Sequence, residues 1–267
     1  MPRLSVIIVT FNSRAEIDAC LRSLTEGIQA DREIVVVDNA STDGTAAHLR
    51  ERWPGIRLIA LGANLGFARG TNIGIQQTFG ELVLLLNPDT VVPAGAIDRL
   101  VIALDGHPQA AAVGPRIVND DGYAELSFGR LTAPPLELRQ KLLSVWSKRR
   151  VPIVLPIVER MTRRTRYVGW ITGACLLARR VDLDAVGGLD ERFFLYMEDV
   201  DLCASFRARG RRVLFVADVE ITHRRGASAA PIASATAYRR SYLTFCEKHY
   251  PRWAPLVRAY LRLPAQG

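Results

Sequence analysis

Short apolar runs alternate with amphipathic segments along the first 120 residues. The runs are LSVIIVT, EIVVVD, IRLIAL and LVLLLN, and the segments after them are 14–25, 43–52, 67–78 and 94–105. Continuous apolar runs of this length are typical of strands buried on both faces, and amphipathic segments are typical of helices that cover a sheet. The pattern predicts an α/β fold with a mostly parallel sheet flanked by helices.

Polar or glycine-rich residues follow each of these four runs directly. They are Thr10 to Ser13, Asp38 to Asp43, Gly62 to Gly70, and Asn87 to Thr90. The carboxyl ends of parallel strands lie along one edge of a sheet, which is where such folds bind ligands. The sequence therefore predicts a binding crevice at that edge. Ser41 or Thr42 is expected to cap the helix that follows the second run.

The alternation stops in a basic, proline-containing stretch from about residue 130 to 166. The string AAAVGPRIV before it predicts a strand, as do YVGWITGACLLARR and RRVLFVADVEITH after it, and a helix between these two ends near Arg209. The tail from 235 to 263 predicts two helices separated near Pro251. We divide the chain into an α/β half, a linker or interfacial segment, a second half of the same domain and a helical tail: 1–120, 121–166, 167–230 and 231–267.

The composition fits one large α/β domain with at most a short appendage, since 267 residues are 49% hydrophobic and 23% charged. The first apolar run is too short for a signal peptide, and no run approaches about 18 apolar residues without a charge. We therefore expect a cytoplasmic protein. The cysteines have no short ligand spacing, which favours reduced, mostly buried thiols over a disulfide or zinc framework: Cys20, Cys175, Cys203 and Cys246.

The net charge of +8 and the pI near 9.7 predict an anionic partner. One stretch holds nine basic residues against a single acid, Glu159: Arg139, Lys141, Lys148, Arg149, Arg150, Arg160, Arg163, Arg164 and Arg166. Apolar residues such as Trp146 and Ile153 lie between them. This mixture favours a peripheral membrane contact over nucleic-acid binding, which we do not expect. A solvated basic linker fits the stretch equally well.

The string VDNASTDGT has Asp38 and Asn39 at the end of the second predicted strand. An acidic residue at such a place often only forms a turn or caps a helix. The alternative is that the carboxylate of Asp38 accepts hydrogen bonds from a nucleobase imide or a ribose. The sequence leaves both interpretations open.

The string NLGFARGTNIG has Gly66, Gly70 and Gly74 where a helix is predicted, at a cost of about 1 kcal/mol for each glycine inside the helix. Either a ligand or other backbone approaches closely here, or the helix packs tightly on the sheet. The chain contains neither GxGxxG nor GxxxxGKS. Their absence argues against dehydrogenase and kinase functions.

The very apolar string LVLLLNPDT ends near Asp89. An ionised carboxylate beside a buried strand is costly unless it is paired or holds a cation, so Asp89 is a candidate ligand for Mg²⁺ or Mn²⁺. His223 can join it on the metal, and Arg224 and Arg225 can face phosphate oxygens. A lone histidine can also be an ordinary surface or core residue.

The string FFLYMEDVDLC holds three acids behind an aromatic run: Glu198, Asp199 and Asp201. Like charges beside apolar walls should raise at least one pKa, which would give a general base. The alternative is a helix N-terminus that carries acids because the helix dipole favours them. On a helix starting near Glu198, residues 198 and 201 share a face and residue 199 points about 100° away.

Seven features in this order resemble the family 2 glycosyltransferases of the GT-A fold, especially their bacterial rhamnosyltransferase-like branch. They are VTFNS, VDNASTDGT, NLGFARGTNIG, LLNPDT, WITGAC, GGLDERFFLYMEDVDL and the late His223, over about four fifths of the chain. The resemblance implies a GT-A (Rossmann-like) fold and an inverting, metal-dependent transfer of a sugar, rhamnose among the candidates. The donor would be a dTDP-, UDP- or GDP-sugar. The acceptor would be a hydroxyl of a glycan or lipid-linked molecule in cell-surface polysaccharide synthesis.

The resemblance also implies roles for single residues. Asp199 would be the base, with Glu198 beside it, and Asp89 with His223 would hold Mg²⁺ or Mn²⁺. Residues expected to contact the donor are Thr10, Asn12, Asp38, Asn39, Gly66, Asn72, Asn87 and Arg225. Residues expected to line the acceptor side are Trp170, Gly173 and Ala174. Asn87 stands where the DxD-type motif of the family has its first acid.

Two other functions stay open at this point. A sugar nucleotidyltransferase also binds nucleotides on an α/β sheet, but it normally has a Gly-rich basic loop after its first strand, where this chain has VTFNSRAE. A non-catalytic module could bind anionic lipid through residues 139–166. That function would leave the ordered acids and the glycine-rich string unexplained.

Overall fold

A computed structural model describes residues 2–131, 133, 143, 145–146, 151–224 and 231–262, without the side chains of 231–234 and 262. Its strands are β1 (Leu4–Thr10), β2 (Arg32–Asp38), β3 (Arg57–Ala60), β4 (Leu82–Leu86), β5 (Thr90–Val91), β6 (Ala110–Val118), β7 (Phe128–Gly129), β8 (Arg166–Val168), β9 (Trp170–Ile171), β10 (Cys175–Arg179) and β11 (Arg212–His223). Its helices are α1 (Ile17–Gly27), α2 (Thr45–Arg52), α3 (Phe67–Gln76), α4 (Ala96–Asp105), α5 (Leu155–Met161), α6 (Arg180–Val186), α7 (Glu198–Ala208), α8 (Pro231–His249) and α9 (Ala254–Arg262).

The main sheet of the described residues has nine strands in the order β3-β2-β1-β4-β10-β6-β11-β5, and β8 also pairs with β11. Strands β1, β2, β3 and β4 are parallel, and β6 and β11 run in the same direction as these four. Strands β5, β8 and β10 run the opposite way. The predicted α/β fold with a mostly parallel sheet is confirmed.

Strand β10 joins the two predicted halves of the domain. It pairs antiparallel with β4 on one side and with β6 on the other. Residues 1–120 and 167–230 therefore contribute to one sheet. A second, two-stranded sheet of β7 and β9 lies beside it.

The core has a layer on each side of the main sheet, which explains why its strands are apolar throughout. Leu4, Val6 and Ile8 of β1 pack with α1 and α4, whereas Ile7 packs with α3 and α7. All four cysteines lie within the described residues, form no disulfide, and are buried in these layers or below the tail.

The predicted caps of the second helix are wrong. Helix α2 begins at Thr45, whose backbone N–H donates to Oδ1 of Asp43 at 3.0 Å. The hydroxyl of Ser41 instead accepts from the backbone N–H of Asn12 at 2.8 Å, and the N–H of Thr42 donates to Oδ1 of Asn12 at 2.8 Å. Ser41 and Thr42 thus join the loops after β1 and β2.

The tail forms α8 and α9, with the predicted break near Pro251. Tyr242 and Phe245 of α8 pack against Phe193 and Val200, at the start of α7, so the tail lies on the catalytic-carboxylate candidates. Within the described residues, no helix combines the length and the hydropathy that crossing a membrane requires.

Candidate active site

Thr10 and Asp38 lie next to each other at the ends of β1 and β2. The hydroxyl of Thr10 donates to Oδ1 of Asp38 at 3.2 Å, and both residues are buried. Oδ2 of Asp38 accepts the backbone N–H of Ser41 at 3.1 Å, so Asp38 does form the turn that was one of its two interpretations. Contact of Thr10, Asn12 and Asp38 with a donor stays a prediction.

Close contacts with neighbouring atoms explain two glycines, Gly66 directly before α3 and Gly74 within it. Gly66 has φ +87°, and a Cβ there would lie 2.6 Å from the carbonyl oxygen of Phe194. At Gly74 a Cβ would lie 2.6 Å from Cγ2 of Ile7 in β1. Backbone therefore approaches at Gly66, and tight packing on the sheet is the reason at Gly74.

Asn39 and Asn72 hold the loops around α3. The side-chain amide of Asn39 donates to the carbonyl of Gly66 at 3.0 Å and accepts from the backbone of Leu65 at 2.8 Å. Asn72 donates to the carbonyl of Leu189 at 2.8 Å and accepts its N–H at 2.9 Å. Both asparagines thus have a structural role, and their donor contacts stay predictions.

Strand pairing brings Asp89 and His223 together. Thr90 of β5 pairs with His223 of β11, which puts Nε2 of His223 3.1 Å from Oδ1 of Asp89. Both side chains are largely buried, and the side-chain amide of Asn87 lies 3.4 Å from the same Nε2. The two predicted metal ligands, 134 positions apart in sequence, therefore share one site.

The chemistry of this pair fits a divalent cation. A separation of 3.1 Å is that of a hydrogen bond, and also that of two neighbouring ligands of an octahedral ion whose bonds are about 2.1 Å long. A carboxylate oxygen and an imidazole nitrogen suit Mn²⁺, and the carboxylate suits Mg²⁺. In the part of the chain that is described, no group of three or more His, Cys, Asp or Glu side chains could hold a metal ion.

Two neighbouring residues, Gly173 and Ala174, connect the segment between β4 and Asp89 to the candidate base Asp199. The backbone N–H of Asn87 donates to the carbonyl of Ala174 at 3.0 Å. The N–H of Gly173 donates to Oδ2 of Asp199 at 2.7 Å, and a Cβ at Gly173 would lie 3.3 Å from Cβ of Asp199. Gly173 thus keeps Asp199 close to the end of β4.

Trp170 lies in β9, partly buried between the core under the sheet and the cluster under the tail. Its strand pairs with β7 and leads directly to Gly173 and Ala174. The three predicted acceptor residues therefore lie on one short segment beside Asp199. Arg225, predicted to face phosphate oxygens, lies outside the described residues.

Glu198 and Asp199 start α7 in different environments. Glu198 is buried and its Oε2 has no hydrogen-bond partner among the described residues. Burial, and after it the charge of Asp199, raises the pKa of Glu198 to about 8. Asp199 is partly exposed; burial raises its pKa too, but N–H groups of Gly173 and Val200 favour its ionised form. The two carboxyl groups interact, so they release their protons as a pair.

We expect Glu198→Gln to change how stability depends on pH. A raised pKa means that the folded chain keeps this proton while the unfolded chain releases it, so Glu198 opposes folding increasingly from pH 4.5 to about 8. Relative to the parent, the free energy of unfolding of the variant should increase by at least about 1 kcal/mol across that range. The increase should appear as a rise in Tm of about 2–4 °C per kcal/mol.

Melting temperatures of both proteins between pH 5 and pH 9 measure this difference. Glu26→Gln, at an exposed carboxyl of α1, is the matched control and should follow the parent at every pH. Parallel pH profiles of parent and Glu198→Gln would contradict the expectation.

The backbone just before these carboxylates is strained. Tyr196 and Met197 have φ of 69° and 70°, a left-handed conformation that costs side chains other than glycine about 1–2 kcal/mol each. Such strain persists only where the surrounding structure holds the backbone in place, and it is found most often at functional sites. No local sequence signal indicated it.

Asp201 anchors the tail to α7. Its carboxylate is almost fully buried and accepts from Nζ of Lys248 at 2.8 Å and lies 2.6 Å from Nε2 of His249. Lys248 also lies 2.9 Å from Asp190, in the loop before α7. Burial alone would lower the pKa of Lys248, but the two carboxylates outweigh it and raise that pKa. Sequence reasoning missed Lys248 and His249, which carry no motif.

An Asp–His pair and a carboxylate pair lie near the carboxyl edge of the parallel sheet, an arrangement that fits a nucleotide-sugar glycosyltransferase. Residues 5–165 match the sequence profile of Glycosyl transferase family 2. The N-acetylglucosaminyl-diphospho-decaprenol L-rhamnosyltransferase of Mycobacterium tuberculosis is 32% identical over 274 residues, 97% of this chain and 89% of that protein. The chain belongs to glycosyltransferase family 2, and it is an enzyme of that class.

Solved structures agree on the fold. The mannosyltransferase PcManGT from Pyrobaculum calidifontis, in complex with GDP-Man and Mn²⁺, has a TM-score of 0.62 and 23% identity over 98% of this chain and 70% of its own. GalNAc-T7, with UDP, GalNAc and Mn²⁺, has a TM-score of 0.70 and 17% identity over 98% of this chain and 51% of its own. The predicted GT-A fold is confirmed.

Proposed function

We propose that the chain is an inverting enzyme that moves a sugar from a nucleotide-diphosphate donor to a hydroxyl of a lipid-linked or other glycan acceptor in cell-surface polysaccharide synthesis. The observation that carries the proposal is the pair of backbone hydrogen bonds through Gly173 and Ala174. They connect the strand end that leads to Asp89 with the carboxylate of Asp199. Leaving-group stabilisation and proton removal need this proximity, since the hydroxyl oxygen that loses its proton attacks the sugar carbon from which the diphosphate leaves.

On the donor side, the ends of β1 and β2 bind the nucleoside through Thr10, Asn12, Asp38 and Asn39, in our proposal. Gly66, Asn72, Asn87 and Arg225 complete the donor contacts. Asp89 and His223 would hold Mg²⁺ or Mn²⁺, ions that proteins usually bind together with substrate phosphates. When bound, such an ion neutralises the charge that builds on the leaving diphosphate.

On the acceptor side, Asp199 takes the proton from the attacking hydroxyl. Its hydrogen bonds from Gly173 and Val200 orient the carboxylate and favour its ionised form at neutral pH. Glu198 keeps its own proton and so adds no second charge beside the base. Trp170, Gly173 and Ala174 line the wall along which the acceptor enters.

The substrates are proposed from the rhamnosyltransferase of Mycobacterium tuberculosis, whose name specifies L-rhamnose and a diphospho-decaprenol-linked N-acetylglucosamine. An identity of 32% over nearly the whole chain supports rhamnose among the candidate sugars and a lipid diphosphate among the candidate acceptors. The donor nucleotide would be dTDP, UDP or GDP.

A lipid-linked acceptor would require the enzyme to work at the cytoplasmic face of a membrane. The basic stretch from Arg139 to Arg166 is a proposed peripheral contact there. In its described part, Trp146, Ile153 and Ile157 have large exposed fractions of 44%, 76% and 44%. Residues 147–150, with three of its basic side chains, lie outside the described part.

Incubation with each candidate nucleotide-sugar, Mn²⁺ and a short-chain lipid-diphosphate N-acetylglucosamine tests the proposal. We expect nucleotide diphosphate release that depends on the acceptor, and a product whose anomeric configuration, read by NMR, is inverted. Pyrophosphate release with a sugar phosphate and a nucleoside triphosphate would indicate a nucleotidyltransferase instead. A chain that binds vesicles but no donor would be the non-catalytic module.

A further inference from the structure

Helix α9 has apolar residues on two sides, and only one side is covered. Val257 and Leu261 pack into the cluster below α8, and Ala254 is buried too. Leu256 and Tyr260 are exposed to 64% and 71%, and Trp253, directly before the helix, to 38%. At 100° per residue these three directions lie within about 60° of one another, so they form one stripe, which we call the exposed stripe.

Positive charge is concentrated in the helices that carry this stripe. Residues 231–262 contain six Lys or Arg residues and one acid, Glu247. This eighth of the chain thus contributes five of its eight net positive charges. Arg252 is exposed next to Trp253, on one flank of the stripe. Arg258 points about 140° or more away from the stripe and pairs with Glu247.

We propose that the exposed stripe of α9 is a contact with an anionic lipid surface. Tryptophan and tyrosine have an apolar ring and a polar edge, which suits them to the boundary between headgroups and acyl chains. Leu256 adds apolar area between them, and Arg252 beside the stripe would meet lipid phosphates. An amphipathic helix with this composition lies in the plane of the interface.

The location of α9 gives this contact a consequence for catalysis, and this step rests on the proposed lipid-linked acceptor. Helix α9 packs on α8, and α8 holds Asp201 of the catalytic helix through Lys248 and His249. The membrane contact is therefore one helix away from the helix that carries Asp199. An acceptor could keep its lipid in the bilayer while its sugar reaches the base.

A lipid surface explains the stripe better than a polyanion in water does. Nucleic acid is bound mainly through Lys and Arg contacts to phosphates, for which three adjacent large apolar side chains are not required. A merely solvated helix face would not group them either, because contiguous exposed apolar side chains mark interaction surfaces.

Vesicle co-sedimentation of the full chain tests the contact, without donor or acceptor. We expect binding to phosphatidylglycerol-containing vesicles, weaker binding in high salt, and little binding to phosphatidylcholine alone. Trp253→Ser, Leu256→Ser and Tyr260→Ser together should weaken the apparent affinity by about tenfold or more. Phe79→Ser, Ile102→Ser and Val181→Ser, at residues exposed to 62%, 69% and 69% on other elements, are the matched control and should bind like the parent.

Several results would overturn the proposal. They are no vesicle binding by the parent, equal binding by the stripe variant, or an equal loss in the control variant. A loss in Ile153→Ser with Ile157→Ser, but not in the stripe variant, would assign the contact to the basic stretch. If the parent forms a dimer in light scattering and the stripe variant does not, while vesicle binding is unchanged, the stripe contacts a second copy. If the stripe variant loses binding to a DNA duplex instead, the stripe contacts nucleic acid.

Transfer to a water-soluble acceptor analogue separates this proposal from the proposed function. The stripe variant should keep the parental rate with such an analogue, since no residue of the stripe lies in the catalytic site. If the parent binds vesicles through the stripe but transfers no sugar, the proposed function fails and the membrane contact stands.

Discussion

Asp199→Asn should lower turnover by about 10² or more and leave donor affinity nearly unchanged. Asparagine keeps the size of the side chain, and its carbonyl oxygen can still accept the N–H of Gly173. It cannot take the proton of the acceptor hydroxyl. Measurement of kcat at saturating donor and acceptor, with donor Kd from calorimetry, checks both parts.

Glu198→Gln is the control for this experiment, because it changes the neighbouring carboxyl in the same way. If Asp199→Asn keeps near-parental turnover while Glu198→Gln loses it, the base is Glu198. A large loss of donor affinity in Asp199→Asn would give Asp199 a different role.

Asp89→Ala should abolish the stabilisation that a nucleotide diphosphate with Mn²⁺ or Mg²⁺ gives to the parent. At a ligand concentration of about 100 Kd that stabilisation is about 2.7 kcal/mol, or a rise in Tm of about 5–10 °C for a chain of this size. The reason is the position of Asp89, 3.1 Å from His223 and shortly after β4, whose five residues are all buried. Thermal shift with and without the metal measures it.

Asp218→Ala is the matched control, since Asp218 is an exposed carboxylate on the same strand as His223. It should show the full parental shift. Unchanged, metal-dependent binding by Asp89→Ala would mean that the metal site lies elsewhere in the crevice.

The sequence predicted those parts of the site that depend on regular geometry. Strand ends meet at one edge in a parallel sheet, so Thr10 and Asp38 are neighbours as expected. The expected arrangement of the three acids around α7 is also found. Glu198 and Asp201 are buried on one face of the helix, and Asp199 points in another direction and is partly exposed. The expected raised pKa is found at Glu198. The role of Asp199 as general base stays a prediction.

The rest depends on contacts between distant segments, for which a single sequence has no local signal. Lys248 and His249 look like ordinary polar residues near a helix end, yet Lys248 forms an ion pair with the buried Asp201 and His249 contacts the same carboxylate. The left-handed backbone at Tyr196 and Met197 is likewise held by the surrounding structure. Ser41 failed as a helix cap because another loop uses its hydroxyl.

The place of β10 between β4 and β6 also constrains how the chain can fold during synthesis. As the ribosome delivers residues in order, β4 and β6 emerge long before the strand that pairs with both of them. Until Arg179 has left the exit tunnel, two apolar strands have open edges that could pair with other chains. We therefore expect a fragment that stops near residue 120 to aggregate rather than fold, and refolding to be slow, because the central pairings join remote segments.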